Sequence, residues 1–375
     1  MKTEERFVLS IQNELKNFNI SNTNSYNESR TYSNLYKIFI AIKDILSLVV
    51  MLIFNSSKEF NFIYTGEGLC HKVEGKYRDR VLEDFVKENV IYINRGRDTI
   101  INSVNGIKTY NIGGVVKLLS IFFSYTYKKP LNTYYAYKAV NNFILRFTNK
   151  SKVYSLLFYN LNGLSLVMSK HRNKFNLIEV QHGAIINFPT YALTSEIKIA
   201  DIFYVKNQST ITYLKQHLNK NFKDIDYKIL PYPKSKAVYV EGKHILYAST
   251  IEFNGIHPLF IKYLNELTLQ DNVTVYIRLH PREKNKKDVF EAQLEDIKAT
   301  IIFDDSKNWL ESNLIKNLIV VSPWSSVIED AVDNGYKTII LEELGKTRFN
   351  YLIDNKNVIF ADSLEKIVQF IHNDI

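Results

Sequence analysis

Cysteine is almost absent from this chain. Cys70 is the only one among 375 residues, so no disulfide can close within the chain and no cysteine-based zinc site can form. A reducing compartment, the cytoplasm, suits such usage. Glycine (13) and proline (7) are also scarce, which argues against collagen-like, linker-rich and disordered classes. Long apolar runs are missing as well. The longest, Ile45 to Phe54 (ILSLVVMLIF), is ten residues and follows Lys43-Asp44, whereas a spanning helix needs about 20. A core helix is therefore expected there. The N-terminus, MKTEERFVLSIQNELKNF, is charged and amphipathic and lacks the apolar centre of a secretory signal.

Several catalytic fingerprints are missing too. The chain contains no GxGxxG, no GxxxxGK[ST], no GxSxG and no HExxH. These absences disfavour nicotinamide dehydrogenases, P-loop kinases, standard α/β-hydrolases and zincins. Asp304-Asp305 is followed by serine and lies between weak elements, so no metal site is expected. The formal net charge is +9, but the 39 acidic residues are interspersed, and neither a dense basic block nor a nucleic-acid signature appears. No nucleic-acid partner is expected.

What is present is a two-domain length, 46% hydrophobic residues and regular alternation. The first 35 or so residues look helical and polar, ending in NISNTNSYNES, and Asp44 to Phe54 follows as a helix. Phe60 to Thr65 is expected to be a strand stopping at Gly66-Glu67-Gly68, and Tyr110–Tyr127 and Tyr134–Phe147 two aromatic helices. From Val153 strands and helices alternate: strands at 153–158, 177–181 and 201–205, helices at 162–170 and 209–218. A boundary is expected at DYKILPYPKSK, Asp226 to Lys236, where polar residues and prolines interrupt the pattern. Alternation restarts with strands at 244–248, 273–279, 300–303, 318–321 and 337–341 and helices at 258–267, 287–297 and 326–334. Such alternation predicts parallel βαβ units in two α/β halves.

Candidate chemistry sits where strands enter loops, because ligands of parallel sheets lie at the carboxyl ends of strands. In LIVVSPWSSVIEDAV, a buried strand leads into Ser325-Ser326 and a helix. Free amides and hydroxyls there suit a phosphate, and Glu329 lies one turn in, toward a ribose. The alternative for Ser325 is a plain N-cap. In VTVYIRLHPREK, His280-Pro281 follows an apolar strand between Arg278 and Arg282, where an imidazole can donate to a leaving phosphate. His257-Pro258, by contrast, looks like ordinary proline usage at a helix start. LIEVQHGAI brings Gln181, His182 and Gly183 to a strand end; His182 is a base candidate or a capped loop histidine, and Gly183 allows close backbone approach. HILYAST ends at Ser249-Thr250. Glu67 in YTGEG is a candidate general base or an exposed loop carboxylate.

Together, Gln181-His182-Gly183, Arg278 to Arg282 around His280-Pro281, and Ser325-Ser326 before a helix resemble bacterial GT-B glycosyltransferases of surface polysaccharide (capsule and O-antigen) synthesis. The order of a strand–His-Pro loop and a later Ser-Ser loop is similar to that of bacterial sialyltransferases and polysialyltransferases, where these loops hold the CMP phosphate. It also resembles teichoic-acid glycerophosphotransferases and capsule Kdo transferases. The resemblance covers mainly residues 177–341. The acidic-acidic-Gly motif that supplies the sialyltransferase base has its nearest counterpart in Gly66-Glu67-Gly68, which lacks the first acid.

The resemblance implies an α/β fold of two Rossmann-like domains facing across a cleft. Residues 1–230, with a helical N-terminal region, would bind the acceptor, and 231–375 the nucleotide sugar. It implies an inverting, metal-independent transfer of a sugar, best a CMP-linked nonulosonate or Kdo, to a bacterial surface glycan or lipid-linked glycan. Catalytic roles would fall to His182, His280 and Glu67. Donor contacts would fall to Ser249, Thr250, Arg278, Pro281, Arg282, Ser325, Ser326 and Glu329, and substrate contacts to Gln181 and Gly183. No cofactor beyond the nucleotide sugar is implied. A cytoplasmic place, with room for peripheral association at the inner membrane face, fits this reading. A CDP-polyol phosphotransferase, a UDP-sugar transferase, a sugar-nucleotide epimerase and a non-catalytic sugar-nucleotide or glycan-binding component of a capsule assembly complex stay open.

Overall fold

The computed structural model describes residues 3–17, 34–55, 61–65, 70–73, 76–79, 86, 90–94, 108–147, 151–156, 158–181, 185–186, 197–218, 224–230, 239–250, 255–268, 271–280, 283–304, 315–353 and 355–372. The chain divides into two compact units, Met1–Leu230 and Pro231–Ile375.

In the first unit the elements run α1 (Thr3–Asn17), α2 (Asn34–Asn55), β1 (Asn61–Thr65), β2 (Cys70–Val73), β3 (Lys76–Asp79), β4 (Val90–Asn94), β5 (Lys108–Asn111), α3 (Gly113–Phe123), α4 (Leu131–Arg146), β6 (Ser151–Ser155), α5 (Leu161–Val167), β7 (Phe175–Val180), β8 (Ile202–Val205), α6 (Gln208–Leu218) and β9 (Asp226–Ile229). Seven of these strands form one sheet in the order β5-β4-β1-β6-β7-β8-β9, every pair parallel. The chain steps outward from β1 through β4 to β5, then returns to the other side of β1 with β6. The order therefore reverses between β1 and β6, the Rossmann arrangement with one added edge strand. β2 and β3 form a separate antiparallel pair.

The second unit repeats the plan: β10 (Lys243–Ala248), α7 (Pro258–Asn265), β11 (Val273–Arg278), α8 (Lys287–Leu294), β12 (Thr300–Phe303), β13 (Leu318–Ser322), α9 (Val327–Asp333), β14 (Lys337–Ile340), α10 (Glu343–Arg348), α11 (Asn350–Ile353), β15 (Val358–Phe360) and α12 (Leu364–His372). Its six parallel strands are ordered β12-β11-β10-β13-β14-β15, with the reversal between β10 and β13. Burial follows place in the sheet. β13 is buried throughout and β10 beyond its first residue, β11 alternates, and the edge strand β12 is largely open. Strands covered by helices on both faces need unbroken apolar runs, which is how HILYA and LIVV read.

Three expectations are corrected. Tyr110 lies in β5, not in the helix, which starts at Gly113. The Asp226 end of the expected linker is an edge strand, β9, polar because it is exposed. The apolar run at Ile45–Phe54 belongs to a 22-residue helix that is only partly core. Ala41, Asp44, Leu48 and Met51 are buried, whereas Phe39, Leu46, Val50 and Ile53 face outward. The reason lies in Asp44. Its carboxylate accepts the Gly114 amide at 2.8 Å and caps α3, whose own N-cap residue, Ile112, has no side-chain acceptor. Burial raises the Asp44 pKa against the lowering by the Gly114 and Val115 amides. A Cβ on Gly114 would meet Ile40 Cγ2 at 2.6 Å, so glycine allows this close approach. α3 thus covers one side of α2.

Candidate functional site

The second sheet brings three adjacent parallel strands, β11, β10 and β13, to one carboxyl edge, with the reversal of strand order between β10 and β13. Open α/β sheets bind ligands at such a point. Two buried serine hydroxyls tie the strand ends together. Ser249, directly after β10, accepts the His280 amide at 2.7 Å and donates to Glu283 Oε2 at 2.6 Å. The Glu283 amide in turn donates to the His280 carbonyl at 2.7 Å. His280 is thereby held on both its backbone groups by a network whose members Ser249 and Glu283 are 2% and 0% exposed. On the other side, Ser322 donates to the Ala248 carbonyl at 2.8 Å and accepts the Ser325 amide at 3.1 Å. The loops after β11, β10 and β13 are thus joined, and four expected residues, Ser249, Thr250, His280 and Ser325, stand on neighbouring strand ends.

Thr250 is buried, and its Oγ1 has no hydrogen-bond partner among the described residues. A buried hydroxyl in that condition costs about 1–3 kcal/mol, which a ligand acceptor or a water would recover. Ser325 and Ser326 divide the helix entry between them. Ser325 Oγ receives the Val327 amide over a long 3.4 Å, the expected cap in weak form. Ser326 occupies the N-cap position of α9 without making a side-chain cap bond, which leaves its hydroxyl for other use. Trp324 precedes them, with the Arg348 guanidinium 5.2 Å from its ring centre.

Two expected donor contacts are engaged inside the protein. Arg278 binds Asp304 at 2.7 Å, and that carboxylate is 4% exposed. Asp304 follows β12, and its amide donates to the Ile277 carbonyl. The bridge therefore braces the β11 and β12 ends. Glu329 is buried, and its carboxylate takes the Tyr351 hydroxyl. Burial, followed by the charge of Glu329, pushes that phenol far above its usual range. His257 behaves as expected of a helix start: it caps α7 by accepting the Leu259 amide, with proline next, and its Nε2 meets Glu342 at 3.0 Å.

In the first unit, Gln181 follows β7 and is buried. Its amide donates to the Tyr204 carbonyl at 2.9 Å and its Oε1 accepts the Lys206 amide at 2.7 Å. It pins the ends of β7 and β8. Glu179, fully buried on β7, accepts the Phe158 amide at 3.0 Å. Glu67, His182, Gly183, Pro281 and Arg282 lie outside the described residues.

Glu283, Ser322 and Glu179 are polar residues of these strand ends that sequence reading passes over, and Asp304, weighed there only as a metal ligand, braces the ends of β11 and β12. Glu179 had a signal, a carboxylate inside the apolar run LIEV. Glu283 had none, standing among the cations of REKNKK.

No protein-family model matches the chain, and no curated protein matches it. Among solved structures, the chain is similar to a glycosyltransferase from Rickettsia africae ESF-5, at 11% identity and a TM-score of 0.44 over 84% of this chain and 88% of that one. It is similar to a UDP-N-acetylglucosamine 2-epimerase, so described, from Listeria monocytogenes, at 11% identity and 0.47 over 84% and 89%. It is also similar to MurG of Acinetobacter baumannii, at 10% identity and 0.47 over 84% and 91%.

Proposed function

We propose that this protein is an inverting, metal-independent glycosyltransferase that takes its donor, a nucleotide-activated sugar, at the carboxyl edge of the second sheet. The observation that supports the reading is the joined strand-end layer at the reversal of strand order. It holds a fixed His280, a buried Thr250 hydroxyl, and Ser325-Ser326 at a helix start. In the reaction an acceptor hydroxyl oxygen attacks the anomeric carbon. The bond from that carbon to the phosphate oxygen breaks, the electron pair leaves with the phosphate, and the hydroxyl proton passes to a base. His182 is the base we favour, with Glu67 the other candidate. His280, Arg282 and the two serines stabilise the departing phosphate by donating hydrogen bonds to it. The donor we favour is a CMP-linked nonulosonate or Kdo, and the acceptor a bacterial surface glycan.

Trp324 adjoins the proposed phosphate contacts and makes the test direct. Titration with CMP, CDP, UDP, GDP and ADP is expected to change tryptophan emission with CMP at the lowest concentration. His280→Ala is expected to lower turnover by about 10²–10³-fold. Unchanged emission with every nucleotide would remove the donor site from this edge. Turnover abolished by EDTA and restored by magnesium or manganese would overturn the metal-independent step. A preference for CDP or UDP would move the donor to a polyol phosphate or a UDP-sugar. Nucleotide binding without turnover on any acceptor would favour a binding component.

A further inference from the structure

Helix α2 is largely apolar, and among the described residues it is covered on one side only. Large side chains recur at Phe39, Ile42, Leu46, Val50 and Ile53 and at Ile38, Ile45 and Val49, all exposed, with Phe39 and Ile53 at 64% and 67%. At 100° per residue these positions fill an unbroken arc of roughly 140°, and Lys43 stands exposed at its margin. The neighbouring α3 continues the character with Leu118, Ile121 and Phe122 (68% exposed), and Tyr125 just beyond is 88% exposed. Soluble surfaces rarely leave so much contiguous apolar area open without a use.

Charge decides between occupants. From Thr99 to Ile178 the sequence carries eleven Lys or Arg and no Asp or Glu. The remainder holds 37 basic and 39 acidic residues, so this stretch accounts for the whole positive excess of the chain. Lys43 on α2 and Lys117 on α3 are exposed, as are Lys128 and Lys129 in the turn that follows α3. The sole acid of α2, Asp44, is buried as the cap of α3. A second copy packed on the same two faces would set lysine against lysine with no exposed acid on α2 or α3 to pair, which costs affinity. An anionic bilayer offers acyl chains to the arc and phosphate to the lysines.

We infer that the exposed faces of α2 and α3 form a docking surface for an anionic membrane. The apolar arc lies in the headgroup–acyl boundary, and Lys43, Lys117, Lys128 and Lys129 contact lipid phosphates. Among the described residues no helix is long and apolar enough to cross a membrane, and the buried Asp44 fastens α2 to its own unit, so the mode is interfacial.

The experiment uses the full chain and sucrose-loaded vesicles of phosphatidylcholine, alone or with about one third phosphatidylglycerol. Binding is expected only to the anionic vesicles and is expected to fall with salt. Lys128→Gln with Lys129→Gln is expected to weaken it about 25-fold, near fivefold per lysine. Leu46→Glu with Ile53→Glu is expected to abolish it while circular dichroism and melting stay unchanged, since both sites are exposed. A tryptophan placed by Leu46→Trp is expected to be quenched by bromine-labelled lipid. Equal binding to neutral vesicles, binding indifferent to both double variants, a lipid-free dimer broken by Leu46→Glu, or resistance to alkaline extraction would each overturn the inference. Lipid binding is read without donor or acceptor, so it stands apart from the transferase reading.

Discussion

Ser249 is the hydroxyl on which the candidate site turns. Its donor and acceptor capacity are both spent inside the protein, on Glu283 and on the His280 amide. Ser249→Ala leaves a buried carboxylate and a backbone amide each short of a partner, at a cost of about 2–3 kcal/mol. It should also lower turnover more than nucleotide affinity, because it frees the His280 backbone rather than removing a ligand contact. Denaturant unfolding and steady-state kinetics of this variant beside Glu283→Gln check both parts. A stability loss with unchanged turnover would make the network purely structural. Asp201 offers a pH test at the same scale. Its burial raises the pKa, but Arg172 at 2.6 Å, the Leu177 amide at 2.8 Å and Lys198 at 3.1 Å outweigh that, and the net shift is downward. A carboxylate with a lowered folded pKa stabilises above its unfolded value of 3.8, and that stability is lost as pH falls through the folded pKa. Asp201→Asn should therefore destabilise at pH 7 by about 1–2 kcal/mol, with the gap to the parent closing below pH about 4. Melting curves across pH 3–7 would show it.

At the scale of elements, most of what could be read beforehand comes from apolar runs. β10, β11 and β13 were legible because a covered parallel strand must be an apolar run, and HILYA and LIVV leave little else to be; β12 was legible from TIIF although it is an open edge strand. β5 and β9 were not, because KTYN and DYKI are short and polar at sheet edges; β4 was passed over too, although its VIYIN run is apolar and buried. The depth of α2 was misjudged for a related reason. Apolar sequence marks where a residue avoids water in the unfolded accounting, yet only the tertiary placement of α3 decides which side is covered. The strand-end histidine and serines were legible from position alone, since a βαβ pattern says where carboxyl ends fall. Their supports were not, because the Ser249–Glu283 contact joins residues 34 positions apart. Helix α10 supplies a comparable support for the Ser-Ser loop. Gly345 is buried, and a Cβ on it would lie 2.1 Å from the Pro323 carbonyl oxygen and 2.7 Å from Ile340 Cγ2. The first of those neighbours is backbone, so the loop itself must move. Gly345→Ala should cost about 1–3 kcal/mol, shift Trp324 emission in the absence of ligand, and weaken nucleotide binding though it touches no nucleotide. Normal emission and normal affinity would show that α10 does not set the loop.

On the scale of the whole molecule, the two units carry separate cores. The clusters built on β1, β6 and β7 hold residues 8–225 and 86–230, and those built on β10, β11 and β13 hold residues 245–371. Each unit therefore has the means to unfold as its own cooperative transition. The chain provides a built-in reporter that tells them apart. Both tryptophans, Trp309 and Trp324, belong to the second unit and none to the first. Far-ultraviolet circular dichroism follows both units, and tryptophan emission follows only the second. If the donor nucleotide is held at the β10–β13 edge, a ligand at 100 times its dissociation constant adds about 2.7 kcal/mol to the unit that binds it. For a unit of this size that raises the midpoint by roughly 5–11 °C. The tryptophan-detected transition should move by that amount with CMP, while the part of the circular dichroism curve that emission does not follow stays in place. The His280→Ala variant should show a smaller shift. Movement confined to the transition invisible to tryptophan would put the nucleotide on the first unit and exchange the roles assigned to the two halves. Equal movement of both would mean that they unfold as one.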